Sequence, residues 1–296
     1  MTVVPSNETE ALTTVKTPNG LEWVKRRGDE LPDLWEIDYL DHLFAGGPGA
    51  LVYSSNWITN EEIAALLEQR PGTILVHLSD ENTNRKGKLD RPRSEAFAEV
   101  YRGARAVFRQ HVLDPTCTPP NTYFMPLGYM KGMLSVPPPA PGADNPARSR
   151  QYLWSFVGNA RSRDRRKMLR RFRKLKGDSA ETASATCAEM ARLYADSLFV
   201  PVGVGHSNHD CFRIYEASAC GAIPVICCSE KQRRVTFGPM QDLAPLPWVF
   251  IKRWKDARYT IEELSASESL EETRTRCAKW LPLAMQKTRD AYLALG

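Results

Sequence analysis

Arg213 and Glu216 stand three residues apart in the stretch DCFRIYEASACGAIPVI, residues 210–226. At that spacing two side chains share one face of a helix. A guanidinium donates two parallel hydrogen bonds and keeps its charge, which suits a pyrophosphate, and a nearby carboxylate is suited to accept from ribose hydroxyls. The same spacing also describes a simple i, i+3 ion pair, worth about 0.3 kcal/mol. The loop before the pair, VGVGHSNHD, contains His206, His209 and Asp210 and is followed by Cys211, all metal-ligating types. Their spacing matches no zinc template, so no metal is expected there.

Two further constellations follow strand-like runs. In FVGNARSRDRR, residues 156–166, an apolar run enters Gly158 and Asn159 and then a helix start. Free backbone N–H groups and the positive end of the helix dipole make such a turn an anion site, and Gly158 lets a phosphate approach the main chain. Arg161 and Arg163 add charge. Neither GxxxxGK[ST] nor GxGxxG is present, so no nucleotide fingerprint is met. A tight strand-to-helix turn ahead of a solvated basic helix fits the same letters. The third constellation is HLSDE, residues 77–81. Asp80 and Glu81, just past a buried strand, stand where a general base would, or else where a loop cap would.

These groups need elements to position them. Residues 212–220 read as a helix with Gly221 just past its end, and 223–228 as a short β-branched strand buried on both faces. Upstream, LVYSS, TILVHLSDE, AVFRQHV and TYFMPLGY read as strands. Between them, NEEIAALLEQR, capped by Thr59 or Asn60, and SEAFAEVYRGA read as helices. The proline-rich stretch 135–151 reads as a linker. After it YLWSFV, SLFVPVGVG and PWVFIKRW read as strands, RSRDRRKMLRRFRKL and CAEMARLYADS as helices, and 265–295 as helical throughout. The expected fold is α/β, with two doubly wound Rossmann-like domains facing a cleft. The expected boundaries are 1–140, 150–275 and a final helix over 276–296. Strand C-termini facing across a cleft are where such sheets bind ligands. Residues 1–20 are polar and aperiodic and are expected to be disordered.

Composition limits the function classes. At 296 residues and 42% hydrophobic the chain can build a sizeable core, and its net charge is only +5. No basic n-region opens it and no run approaches the roughly eighteen apolar residues of a membrane span, so a cytoplasmic location is expected. Seven cysteines is an odd number, and Cys227 and Cys228 are adjacent, so reduced thiols fit better than a disulfide scaffold. A nucleic-acid binder gripping through the 161–176 helix is the weakest class, because that helix carries only Phe172 as an aromatic.

The stretch SLFVPVGVGHSNHDCFRIYEASACGAIPVI resembles the exostosin family of glycosyltransferases (family 47-like), and FVGNARSRDRR is similar to that family's phosphate-side turn. HLSDE with the following helix and AVFRQHV resembles the acceptor domain of the shorter exostosin-like xylosyltransferases, the ribitol xylosyltransferase branch included. The resemblance covers roughly residues 70–250. It implies a GT-B fold and an inverting, metal-independent transfer of a sugar, xylose first, from a UDP-sugar to a carbohydrate hydroxyl, with no cofactor. It also implies that Arg213 holds the diphosphate, Glu216 the ribose, and Gly158, Asn159 and Arg161 the phosphate turn, while Ser207 borders the nucleotide. Asp80, with Glu81 as the alternative, would be the base. Animal members are Golgi-anchored, so a trimmed Golgi enzyme is the alternative to a cytoplasmic one. An epimerase or other non-transferring GT-B enzyme is the alternative activity.

Overall fold

The β-branched runs fold as parallel strands because their residues are apolar on both faces, and each sheet is then covered by helices. The computed structural model describes residues 12–27, 29, 36–78, 88–133, 146–205 and 209–296. The first sheet takes β1 (Leu12–Lys16), β2 (Leu21–Arg26), β3 (Ala50–Ser54), β4 (Ile74–Leu78), β5 (Ala106–Arg109) and β6 (Thr122–Phe124) in sequential order. From β2 onward the pairs are parallel. Helix α1 (Ile37–Phe44) covers the face of Trp23, Val52, Val76 and Phe108. Helices α2 (Asn60–Gln69) and α3 (Arg91–Arg102) cover the other, with Leu51, Tyr53, Leu75 and Val107. Thr59, not Asn60, caps α2, closing a box with Glu62.

The second sheet contains β7 (Tyr152–Val157), β8 (Ser179–Thr182), β9 (Ser197–Val202), β10 (Ile223–Cys227) and β11 (Val249–Ile251), in the order β11-β10-β9-β7-β8. Helices α4 (Arg163–Phe172), α5 (Cys187–Ala195), α6 (Phe212–Ala219), α7 (Glu230–Leu243) and α8 (Ala257–Ala266) surround it. Gly221, at φ +70°, ends α6: its N–H donates to Ser218 O and that of Ala222 to Ala217 O, a Schellman turn that aims the chain into β10. Helix α9 (Leu270–Leu293) ties the two sheets together. Arg274, fully buried, donates to Gly221 O at 3.0 Å. Nearer its end Tyr292 packs edge-on against Phe44 and accepts from Gly49 N–H at 2.9 Å.

Several expectations change. Part of the segment 1–20 is a strand, β1, paired antiparallel with β2 through a turn at Asn19–Gly20, an Asn-Gly hairpin signal. The last strand of the first sheet stops at Phe124, because Pro126 has no N–H for a ladder, and residues 125–133 leave toward the second sheet. The C-terminal segment is broken at residues 267–269, and its long helix begins at Leu270 rather than 276. Most of the expected linker, 135–145, lies outside the described residues, and the part that follows contains a single 3₁₀ turn, Ala147–Ser149. Among the described residues no helix is long and apolar enough to cross a membrane.

Candidate functional site

In the second sheet the crossover from β7 to β8 runs one way and that from β8 to β9 runs back across β7. The strand order therefore reverses between β7 and β9, and the crevice beyond their C-terminal ends is where open α/β sheets take ligands. Two of the three sequence constellations meet there. Gly158 follows β7 at φ +128°, a conformation open to glycine, and a Cβ placed on it would lie 3.0 Å from Arg213 Nη2. Arg213, in the first turn of α6, donates from Nη2 to Val157 O at 2.9 Å and lies over the Phe156 ring at 4.8 Å. Its Nε is buried with no hydrogen-bond partner.

A second guanidinium, not singled out in the sequence, sits beside it. Arg165 donates from Nη1 to Asn159 O at 3.3 Å, and its Nε is likewise buried without a partner. Burial, and then the Arg213 charge, hold its pKa below the usual range. Among the described residues neither arginine forms an ion pair, and although burial works against it, the neighbouring Tyr194, Cys211 and Glu216 hold the Arg213 pKa above the usual range. The two cations, held together at the N-termini of α4 and α6, make a locus of positive charge suited to a bound anion. The available signal was capping: Ser162 accepts from Arg165 N–H at 3.1 Å, which fixes Arg165 in the first turn of α4. Asn159 spends its side-chain oxygen on the Arg161 N–H at 3.2 Å, and both residues are exposed on the outer side of the turn. Asp164 secures the rim, accepting from Val204 N–H at 3.1 Å and from Trp254 Nε1 at 2.7 Å.

Glu216 is placed otherwise than an i, i+3 pair requires. Arg213 turns back to β7, whereas Glu216, 1% exposed, accepts from Met130 N–H of the first domain at 3.2 Å. Burial raises its pKa to about 7, against the pull of that N–H and of Arg213. The carboxyl binds a proton more tightly folded than unfolded. Its stabilising contribution is therefore full below the ordinary carboxylate pKa and is lost as the pH rises through about 7. Glu216→Gln, which keeps the acceptor oxygen, should raise Tm at pH 8 and leave it nearly unchanged at pH 5, for a difference of about 3 kcal/mol at most. Thermal melts at the two pH values decide this, and an equal shift at both would refute the charge argument.

Of the histidine loop, His209 and Asp210 are among the described residues. Asp210 accepts from Tyr215 OH at 2.7 Å and faces His111 Nδ1 at 3.7 Å, while His209 is buried. Among the described residues no group of three or more His, Cys, Asp or Glu gathers. His206 and Ser207 lie outside the described residues, as do Asp80 and Glu81. His77, ahead of them, is a core histidine stacked on Tyr53 at 4.3 Å and bonded to Tyr101 OH, and burial holds it neutral with a strongly lowered pKa.

Comparisons with known proteins agree with this architecture. The solved structures of Anabaena Alr3699/HepE, in complex with UDP and with UDP and glucose, superpose with TM-scores of 0.51 and 0.50 at 10% identity, over 82% of this chain and 76% of theirs. They share the fold, which is GT-B. Ribitol-5-phosphate xylosyltransferase 1 of Danio rerio is 32% identical over 115 residues, covering 35% of this chain and 25% of the relative. The Mus musculus protein of the same name is 30% identical over 138 residues, covering 38% and 30%. The matched part thus spans a quarter to a third of those relatives' length. The family model described as RXYLT1 C-terminal domain matches residues 142–295, just over half of the chain, through the Gly158 turn and α6 to the end of α9. The chain belongs to the RXYLT1 C-terminal domain family.

Proposed function

We propose that the chain is a glycosyltransferase that moves a sugar, xylose first, from a UDP donor to a hydroxyl of a glycan bearing ribitol phosphate, with inversion and without a divalent cation. The observation that carries this reading is the pair of unpaired guanidiniums, Arg165 and Arg213, meeting the Gly158 turn at the reversal of strand order. Fixed cations and two helix N-termini supply there the positive charge that a departing diphosphate needs. The curated relatives' name supplies the acceptor and the sugar, and the exostosin resemblance supplies inversion.

In this mechanism Arg213 and Arg165 hold the diphosphate beside the turn at Gly158, whose own N–H is taken by Thr182 O at 2.9 Å, and Glu216 accepts from the ribose hydroxyls in place of the Met130 N–H. Asp80, or Glu81 beside it, removes the acceptor proton. The acceptor oxygen attacks the anomeric carbon from the face opposite UDP, the bond from that carbon to the diphosphate oxygen breaks, and UDP leaves with the electron pair.

The test is calorimetry of UDP in EDTA, with ADP and GDP as controls, followed by product analysis from UDP-xylose and ribitol 5-phosphate. Uridine-selective binding that survives EDTA and a product of inverted anomeric configuration are expected. Binding that requires a divalent ion, or a retained configuration, would overturn the corresponding part of the reading.

A further inference from the structure

The carboxyl edge of the first sheet carries a turn that the donor site does not use. Ser55, Asn56 and Trp57 follow β3 and lead through Ile58 to the Thr59 cap of α2. That edge faces the second domain, because His111, two residues beyond β5, stands 3.7 Å from Asp210. Strands of a sheet lie about 4.8 Å apart, so the mouth of β3 is roughly 10 Å from that of β5, with β4 between them. Ligands of parallel sheets are met along such an edge.

Trp57 is 42% exposed, whereas Trp23, Trp154, Trp248, Trp254 and Trp280 are all at 6% or less. Singly exposed apolar residues are ordinary, so exposure alone assigns nothing. Three further observations do. The turn is fixed: the Trp57 and Ile58 N–H groups both donate to Ser54 O, at 3.0 and 3.1 Å, the Asn56 N–H donates to Ser54 Oγ at 3.3 Å, and Ile58 is sunk in the core. The ring is therefore presented at little further cost in conformational entropy. Polar groups stand beside it: Asn56 is exposed, and Ser55 Oγ is buried with no hydrogen-bond partner among the described residues. Buried hydroxyls are seldom left so, which marks a position that a ligand completes. The charge is wrong for an anion, since residues 53–62, YSSNWITNEE, include no Lys, Arg or His and end in Glu61 and Glu62. The neighbouring Arg26 is engaged by Glu62 at 3.2 Å.

Resting on the glycosyltransferase reading, we propose that Trp57, with Asn56 and Ser55, is an acceptor subsite that stacks one neutral pyranose ring, the unit next to the residue being glycosylated. A pyranose presents a face of C–H groups that packs on an indole and a rim of hydroxyls that pairs with amide and hydroxyl side chains. Competing occupants match the turn less well. A nucleotide base also stacks, but its phosphate would meet Glu61 and Glu62 with no cation in the turn to hold it. A protein partner needs a contiguous apolar patch, and the other exposed large apolar groups among the described residues, Tyr123, Tyr259, Leu283 and Leu293, are on β6, α8 and α9. Spacing gives the register. The base proposed above follows β4 in the sequence, and a ring on Trp57 is displaced from the mouth of β4 by about one strand spacing, roughly one sugar unit.

The test titrates isotope-labelled protein with methyl galactoside and methyl N-acetylglucosaminide and reads the indole N–H signals, of which the one missing in Trp57→Phe belongs to Trp57. That signal alone should shift, saturating in the roughly millimolar range, and inorganic phosphate or ribitol 5-phosphate should leave it in place. Binding by the variants is followed on the glycoside's own signals by saturation transfer. Trp57→Ala should bind at least roughly tenfold more weakly, and Trp57→Tyr, which keeps a stacking face, should stay within about threefold of wild type. UDP affinity should be the same in all. With an acceptor whose ribitol phosphate is attached to a neutral sugar, Trp57→Ala should raise KM and leave kcat unchanged, whereas with ribitol 5-phosphate alone neither should change. A Trp57 signal that ignores both glycosides, or that moves with AMP or inorganic phosphate instead of them, overturns the proposal, as does a KM raised equally for the long and the short acceptor. Glycoside binding at Trp57 in a protein that fails to bind UDP would uphold the subsite and overturn the donor reading.

Discussion

Asp80→Asn should lower kcat by two to four orders of magnitude, the usual contribution of a positioned general base, while UDP affinity stays within twofold. Strand β4 lies between β3 and β5 in the first sheet, and its residues Ile74–Leu78 are all buried. Asp80 comes two residues past the last of them in the sequence, and ligands of a parallel sheet are met beyond the carboxyl ends of its strands. An inverting displacement needs its base on the acceptor side, away from the departing diphosphate, and the arginines proposed to hold that diphosphate, Arg165 and Arg213, both follow strands of the second sheet. Asparagine keeps the shape of aspartate and removes only the ability to take a proton. Single-turnover measurements with saturating donor therefore report the chemical step. Glu81→Gln is the companion experiment: if the loss follows Glu81, the base is the neighbour. Should both variants transfer at near-wild-type rates while still binding UDP, the base assignment fails altogether.

The elements legible in the sequence are those whose cause is local. The α6, Gly221 and β10 unit follows from a helical period, a left-handed glycine and a β-branched run, all within residues 212–227, and it folds as that pattern requires. Strand β8 escapes the same procedure because SAET is polar and alternates between exposed and half-buried positions, with no apolar period to show. Helix α7 escapes because Gly238 and Pro239 interrupt its middle. The chemistry divides the same way. That Arg213 belongs with Gly158 was legible as two separate anion-binding patterns, but the bond between Arg213 and Val157 spans 56 residues and depends on β7 and β9 lying side by side. The Met130 N–H on Glu216 spans 86 residues and comes from a backbone group, so nothing in the letter at position 130 announces it. Arg165 was hidden in plain view, one of many arginines in RSRDRRKMLRRFRK. Only the cap at Ser162 and the inward turn of the helix separate it from the solvated arginines that follow.

Arg213→Ala should weaken UDP binding about 10–100-fold, the range for a charged hydrogen-bonding group of about 1.5–3 kcal/mol, and leave the binding of uridine nearly unchanged. The uridine comparison matters because Arg213 also has structural contacts, its bond to Val157 O and its stacking on Phe156, whose loss could disturb the whole crevice. A disturbed crevice would lose uridine and UDP alike, whereas a lost diphosphate ligand costs only the phosphates. Arg213→Lys separates charge from geometry: it retains the cation but not the two-pronged donor, so its affinity should fall between wild type and alanine. Arg165→Ala completes a double-mutant cycle. Two guanidiniums that share one diphosphate must be coupled, so the double variant should lose measurably less, or more, than the sum of the single losses, by at least ~0.5 kcal/mol. Additive losses would place the two arginines on separate anions, and unchanged UDP binding in Arg213→Ala would reduce the pair to a device for fixing the β7 turn.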